Sequence, residues 1–313
     1  MRRKTFRPST LWRTTLFITL SLLLAGCSSM PSEAERHSEF DALGDPDARL
    51  TYSTAFPIAN PEEAVVRGDA AVAKGDLNRA LFEYIRALEK GGADGATLYK
   101  IGRMHLALKD PRRAELAFRL SLKALPDHVG ALLEMGKLLI HKRAYPSAAE
   151  LLGRALELAP DSPQVFNALG VLADMQKRHH EAENHYIKAL FLGGDKPIYL
   201  NNLGYSYYLM GCQDRAKQMF LNTLKLDPNY KRAWRNLGLI YAKSARFRQA
   251  LEAFGKVEKE YEAYNDVGYV AMLSGRFDEA QRFFAEAVRL SPVYYELAMN
   301  NAKRLELLRS NAH

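Results

Sequence analysis

The stretch WRNLGLIY, residues 234–241, decides the fold. Leu237 and Tyr241 lie four residues apart and therefore share one face of a helix. The wording returns along the chain at a fixed interval. Gly68, Gly102, Gly136, Gly170, Gly204 and Gly238 are each 34 residues apart, and so are Ala80, Ala114, Ala148, Ala182, Ala216 and Ala250. Gly268 and Ala280 follow after 30, which makes the sixth unit four residues short. Two residue types keeping one period over six units define an internal repeat.

Each unit reads as helix-turn-helix. Ala216, Phe220 and Thr223 share a face of a second helix at spacings of four and three. Gly75, Gly211 and Gly275 fall where the first helix ends, and Pro126, Pro160, Pro228 and Pro292 stop the second. Glycine and alanine let the two backbones approach while leucine, tyrosine and phenylalanine fill the space between them. Trp234-x-x-Leu237-Gly238-x-x-Tyr241 followed by Ala250 and Phe254 lacks only the proline of the tetratricopeptide pattern. Leu203-Gly204-x-x-Tyr207 with Ala216, Phe220 and Pro228, and Val267-Gly268 with Ala280, Phe284 and Pro292, repeat it. The chain thus resembles the tetratricopeptide family over seven units, 61–94, 95–128, 129–162, 163–196, 197–230, 231–260 and 261–294. That resemblance implies an all-α, right-handed solenoid. Residues 295–313 read as a capping helix and tail, with Leu297, Leu305 and Leu308 on a helical period.

The other end of the sequence is different in kind. Arg2, Arg3, Lys4, Arg7 and Arg13 precede an apolar run, Leu16 to Ala25, broken only by Thr19 and Ser21. Residues 1–26 therefore read as a signal peptide, because the run is about half the ~20 residues of a spanning helix. Leu24-Ala25-Gly26-Cys27 resembles the bacterial lipobox, which implies lipid attachment at Cys27; a chance match inside an ordinary signal peptide is the alternative. Without the five leader bases, 39 Lys and Arg face 36 acids, a net charge of +3. So modest a charge gives no reason to expect a nucleic-acid partner. With Cys27 alkylated, Cys212 has no disulfide partner, and stability must come from packing. Residues 27–60 carry six acids, two bases, Pro31, Gly44, Pro46 and Pro57. They read as a lipidated N-terminus and acidic tether reaching on the order of 30 Å, with packing of the second half, around Leu50 to Phe56, as the other reading.

The body offers little catalytic chemistry. His179, His180 and His185 are five and six apart rather than the four a zinc-binding helix needs, and read as solvated turn histidines. No nucleophile elbow, phosphate loop or paired cysteine is present, so neither enzyme activity, nor a cofactor, nor a small-molecule substrate is expected. What a solenoid offers is its concave surface. The family's orientation places Asn201, Tyr205, Tyr208, Arg232, Arg235, Asn265 and Tyr269 there in units five to seven, residue types suited to gripping a protein segment. Asp69, Tyr99, Arg103 and Lys137 form a second set in units one to three, whereas Asn202 and Asn236 match the repeat consensus and read as structural.

The last unit, Ala263-Tyr-Asn-Asp-Val-Gly-Tyr-Val-Ala-Met272, Gly275-Arg-Phe-Asp-Glu-Ala280 and Ala287-Val-Arg-Leu-Ser-Pro292, resembles the C-terminal repeat of TadD-type lipoproteins of the tight-adherence (Flp) pilus system. This implies a pilotin-like, non-catalytic factor at the outer membrane. It would be anchored through acyl chains on Cys27, with its solenoid facing the periplasm, and would bind a secretin or another pilus or secretion-system protein. Ser28 is compatible with sorting to that membrane. A type IVa pilus pilotin, or an adaptor for peptidoglycan hydrolases and proteases, fits the same features.

Overall fold

The structure, a computed structural model, describes residues 40, 42–44, 51–52 and 57–310. The signal peptide and Cys27 lie outside the described residues. Fifteen α-helices and no strand run through the described part. They form seven hairpins: α1 (Pro61–Ala73) with α2 (Leu77–Gly91), α3 (Gly95–Ala107) with α4 (Pro111–Ala124), α5 (Val129–His141) with α6 (Tyr145–Leu158), and α7 (Pro163–Met175) with α8 (His179–Gly193). Then come α9 (Pro197–Leu209) with α10 (Gln213–Leu226), α11 (Lys231–Lys243) with α12 (Phe247–Phe254), α13 (Glu260–Leu273) with α14 (Phe277–Leu290), and the single helix α15 (Glu296–Ser310). No helix among the described residues is long and apolar enough to cross a membrane.

Local chemistry sets the helix ends. Asn60, Asp76, Asp94, Asp110 and Ser162 are N-caps whose side chains accept from amides of the first turn, and Pro61, Pro111, Pro163 and Pro197 occupy the first turn, where a missing N–H is harmless. Between the two helices of a unit the chain turns through one left-handed residue. Gly75, Gly211 and Gly275 supply it in three units, and Lys109, Arg143, Lys177 and Ala245 occupy it with φ of 56 to 62° in the others. A side chain there costs about 1 kcal/mol, so tertiary packing rather than local preference holds those four turns.

One contact is repeated seven times and joins the two helices of every unit. A Cβ on Gly68, Gly102, Gly136, Gly170, Gly204, Gly238 or Gly268 would lie 2.4 to 2.9 Å from the side chain sixteen residues later: Tyr84, Phe118, Leu152, Tyr186, Phe220, Phe254 or Phe284. The repeat alanines, Ala80 to Ala280, are fully buried beside them. The glycine period is thus a packing period, and a large side chain, a ring in six units and Leu152 in the third, fills the space that a Cβ would take.

The proposed tether is shorter than residues 27–60. Phe40 and Leu43 are buried in the core of the first two units, against Leu81, Tyr84, Ile101 and Met104. His105, at the position held by Tyr207 three units later, donates from Nε2 to the Leu43 carbonyl oxygen at 2.9 Å. The Tyr52 ring packs on Phe82 at 5.3 Å. Phe40, Leu43 and Tyr52 therefore pack on the body, and residues 50 and 53–56 of the segment around Tyr52 lie outside the described residues.

At the far end α15 stands where the first helix of an eighth unit would lie. Asn301 donates to Asn265 as the first helices of successive units do. Leu305 is buried against Phe284, whereas Leu297 and Leu307 are more than half exposed.

Candidate functional site: the inner face of the solenoid

The first helices carry three groove positions per unit, occupied in unit five by Ile198, Asn201 and Tyr205. Asn201, four residues before Tyr205 on α9, is 4% exposed, and Asn265 on α13 is 2% exposed. Neither is free for a partner. Asn202 Nδ2 donates to Asn167 Oδ1 at 2.9 Å, Asn236 Nδ2 to Asn201 Oδ1 at 3.2 Å, and Asn301 Nδ2 to Asn265 Oδ1 at 2.9 Å. These amides form rungs that fix one unit on the next. Burial demands that their polar atoms be paired, and the neighbouring unit supplies the partner. Asn202 and Asn236 are structural in the same way, and Asn201 and Asn265 leave the list of contact candidates for that reason.

The concave cleft, with a volume of about 490 Å³, spans units three to six rather than five to seven. It brings together Asn201, Tyr205, Arg232 and Arg235 from the expected set, with Lys137 from unit three. Its lining also includes His141, Asn167, Val171, Asp174 and Ile198, which the consensus gave no reason to single out. Tyr205 is 42% exposed and stacks on Tyr208, ring centroids 6.1 Å apart, while the Lys243 ammonium lies over the other tyrosine. Burial raises the Tyr208 phenol above its ordinary pKa, so it stays a neutral donor. Arg232 is exposed, and Lys137 pairs with Glu134 at 2.8 Å. Arg235 is committed: its Nε donates to Glu258 Oε1 at 2.5 Å. Tyr269 does not reach the cleft; it is half-buried in the cluster beneath α15. In units one and two, Asp69 accepts from Tyr84 and Lys100, both at 2.7 Å, and Tyr99 packs on His128 at 4.5 Å, which leaves Arg103 exposed.

The floor holds a carboxylate that no sequence motif indicated. Asp174 accepts from Tyr186 Oη at 3.0 Å and Ser206 Oγ at 2.9 Å and lies 2.8 Å from His179 Nδ1. Burial and then the Asp174 charge push the Tyr186 phenol far above its usual range. His179 is therefore a covered partner of Asp174, 22% exposed, rather than a solvated turn residue. His180, 94% exposed, fits that description. His185 faces Glu181 instead, and burial lowers its pKa. Among the described residues no group of three or more His, Cys, Asp or Glu is placed to hold a metal ion.

Stacked helical hairpins around a lined concave cleft define a protein-interaction scaffold. The chain belongs to the tetratricopeptide repeat family: matches to that repeat cover residues 65–129, 105–172 and 243–295. It is similar to the general transcriptional corepressor ssn6 of Schizosaccharomyces pombe, 28% identical over 138 residues, 44% of this chain and 12% of that protein. The chain thus spans a small part of that relative's length, and at most 39% of either of two others. The fold is shared with PilW, described as a widely conserved type IV pilus biogenesis factor, at a TM-score of 0.55 and 20% identity over 66% of this chain and 97% of that one. It is shared too with pilF of Pseudomonas aeruginosa, at 0.52 and 19% over 68% and 97%.

Proposed function

We propose that this protein is a non-catalytic, lipid-anchored scaffold of pilus assembly, holding a segment of a secretin or another pilus-system protein in its inner cleft. The observation that carries the reading is the cleft across units three to six, where the exposed Tyr205 ring, Ile198 and the exposed Arg232 side chain lie over a fixed polar floor. An aromatic ring binds protein segments with little loss of side-chain freedom, and tyrosine and arginine are both enriched where such segments are held most tightly. The lipobox-like Leu24-Ala25-Gly26-Cys27 and the likeness of the last unit to TadD-type lipoproteins support the tight-adherence system and the outer membrane. The fold shared with PilW supports the second reading, a type IVa pilus factor.

Photo-crosslinking from position 205 in living cells tests the cleft. A secretin or pilus-system protein should be captured, and the Tyr205→Ala, Arg232→Ala variant should lose partner recovery at least tenfold with its helical signal unchanged. Undiminished recovery refutes the cleft assignment. Cys27→Ala should shift the protein from the membrane to the soluble fraction, and a fully membrane-bound variant would refute the lipid anchor.

A further inference from the structure

The junction between units six and seven breaks the amide pattern. Positions that hold Asn201 and Asn236 at the preceding junction hold Arg235 and Asp266 here. The repeat proline, Pro126, Pro160 or Pro228 in units two, three and five, is replaced by Glu258 in the short sixth unit. α12 ends at Phe254, and a tight turn in which Val257 and Glu258 donate their amides back to the Phe254 carbonyl brings Glu258 to the inner side. Its side chain is 5% exposed. One carboxylate oxygen takes Arg235 Nε; the other, Oε2, is buried without a hydrogen-bond partner.

Two more carboxylates stand close by. Glu262 takes the Lys259 amide at 2.9 Å, and Asp266 takes the Asn265 side-chain amide at 3.1 Å. Glu262 occupies the position that Ile198 and Arg232 hold in the cleft wall of units five and six, so the cluster continues the cleft toward its C-terminal end. Tyr261 and Tyr295 flank it edge to face, centroids 4.9 Å apart. Three carboxylates face the Arg235 guanidinium and the Lys259 ammonium, which lies 5.7 Å over the Tyr261 ring, so one negative charge is left in surplus in a half-dry site. Burial raises Glu258 and Asp266 above the usual carboxylate range, with repulsion from Asp266 and Glu262 adding to it at Glu258 and repulsion from Glu262 at Asp266, and the three acids push Tyr295, already raised by burial, up to about 12.

We propose that this cluster is a binding site for a lysine or arginine side chain of a partner segment lying in the cleft. The incoming cation displaces the exposed Arg235 arm, pairs with Glu258 and Asp266, and packs against the tyrosine rims. The basic residues of the cleft, Lys137, His141 and Arg232, would sit over an acidic stretch of the same segment, so the partner's charge pattern sets its direction. Placing that segment in the cleft rests on the scaffold reading above, but the cation site needs no pilus partner to be measured.

The test uses the full chain in nonionic detergent and fluorescence anisotropy of a labelled peptide of alternating lysine and serine, with a glutamate-serine twin. The lysine peptide should bind. The near-isosteric Glu258→Gln, Asp266→Asn variant should weaken it at least tenfold with a thermal unfolding temperature no lower than that of the unmodified chain, and the control Asp214→Asn, at an exposed acid elsewhere, should not weaken it. Arg235→Met should tighten it severalfold, because it removes the internal competitor; an anion-gripping Arg235 would predict no such gain. Equal binding of the glutamate peptide, no effect of the double variant, an equal loss in the control, or displacement of the peptide by millimolar calcium would overturn the proposal. Loss of crosslinking from position 205 with peptide binding intact would count against the pilus reading alone.

Discussion

Where unit five meets unit six, Asn201 accepts from Asn236 and both side chains are neutral and largely covered. Where unit six meets unit seven, the same two positions carry Arg235 and Asp266, joined by Glu258 from a connection four residues shorter. Both junctions stack the same hairpins. The first satisfies its buried polar atoms with an amide, which needs no countercharge; the second buries charge and leaves an oxygen unpaired. A buried ion pair rarely stabilises more than an apolar or amide substitute. Asp174 is a buried carboxylate at the junction of units four and five, but Tyr186, Ser206 and His179 satisfy it there; a buried carboxylate oxygen left unsatisfied between units six and seven therefore points to recognition rather than to stability.

The largest effect should come from what the two regions share. Gly204→Val in unit five and Gly238→Val in unit six each drive a side chain into a ring 2.8 Å from the Cβ position. Each should destabilise by about 3 kcal/mol, read by chemical unfolding. A neutral result at either would mean that its hairpin is held by something other than this contact.

The next effect separates the junctions. Arg235→Met strands the Glu258 carboxylate and should cost about 2 kcal/mol at pH 7, moderated because the guanidinium is mostly exposed; Asn201→Ala should cost about 1 kcal/mol, with no pH dependence between 5 and 7. Glu258 and Asp266 titrate above the usual carboxylate range in the fold because burial favours their neutral forms. The stability they allow is present in acid and lost as pH rises through those raised values. The Arg235→Met penalty should therefore shrink at pH 5. Asp69 and Asp94, in the first two units, behave oppositely. Burial would raise them, but Lys100 and Tyr84 outweigh it at Asp69, and the Thr97 hydroxyl and the first-turn amides outweigh it at Asp94. Their contribution is present at neutral pH and lost as pH falls below the carboxylate range. Hydrogen exchange should then show the seventh unit gaining protection from pH 7 to 5 while the first two gain none.

The smallest effect concerns the turns. Lys177→Gly and Ala245→Gly relieve left-handed side chains with φ of 62 and 56°, and each should stabilise by about 0.5 to 1 kcal/mol. Gly211→Ala, at the equivalent turn of unit five, should destabilise by a similar amount. A destabilising Lys177→Gly would show that its side chain contributes more than its backbone strain.

The 34-residue period of glycine and alanine determined the hairpins by itself, because the contact of a glycine with a large side chain sixteen residues later leaves one small residue and one large residue at fixed spacing. The missing proline and the short sixth unit were equally legible at Glu258, as a departure from a known period. The inner face was readable only in part. Tyr205 and Arg232 lie in the cleft as their positions imply, but the sequence could not tell that Asn201 and Asn265 spend their amides on the next unit, since that partner is some 35 residues away. Nor could it show that Arg235 is held by Glu258, that Tyr269 is covered by α15, or that Phe40 and Leu43 belong to the core. Period and pattern specify which residues face inward within a hairpin. Which inward residues are spent between hairpins depends on how the units stack, and only the tertiary structure decides that.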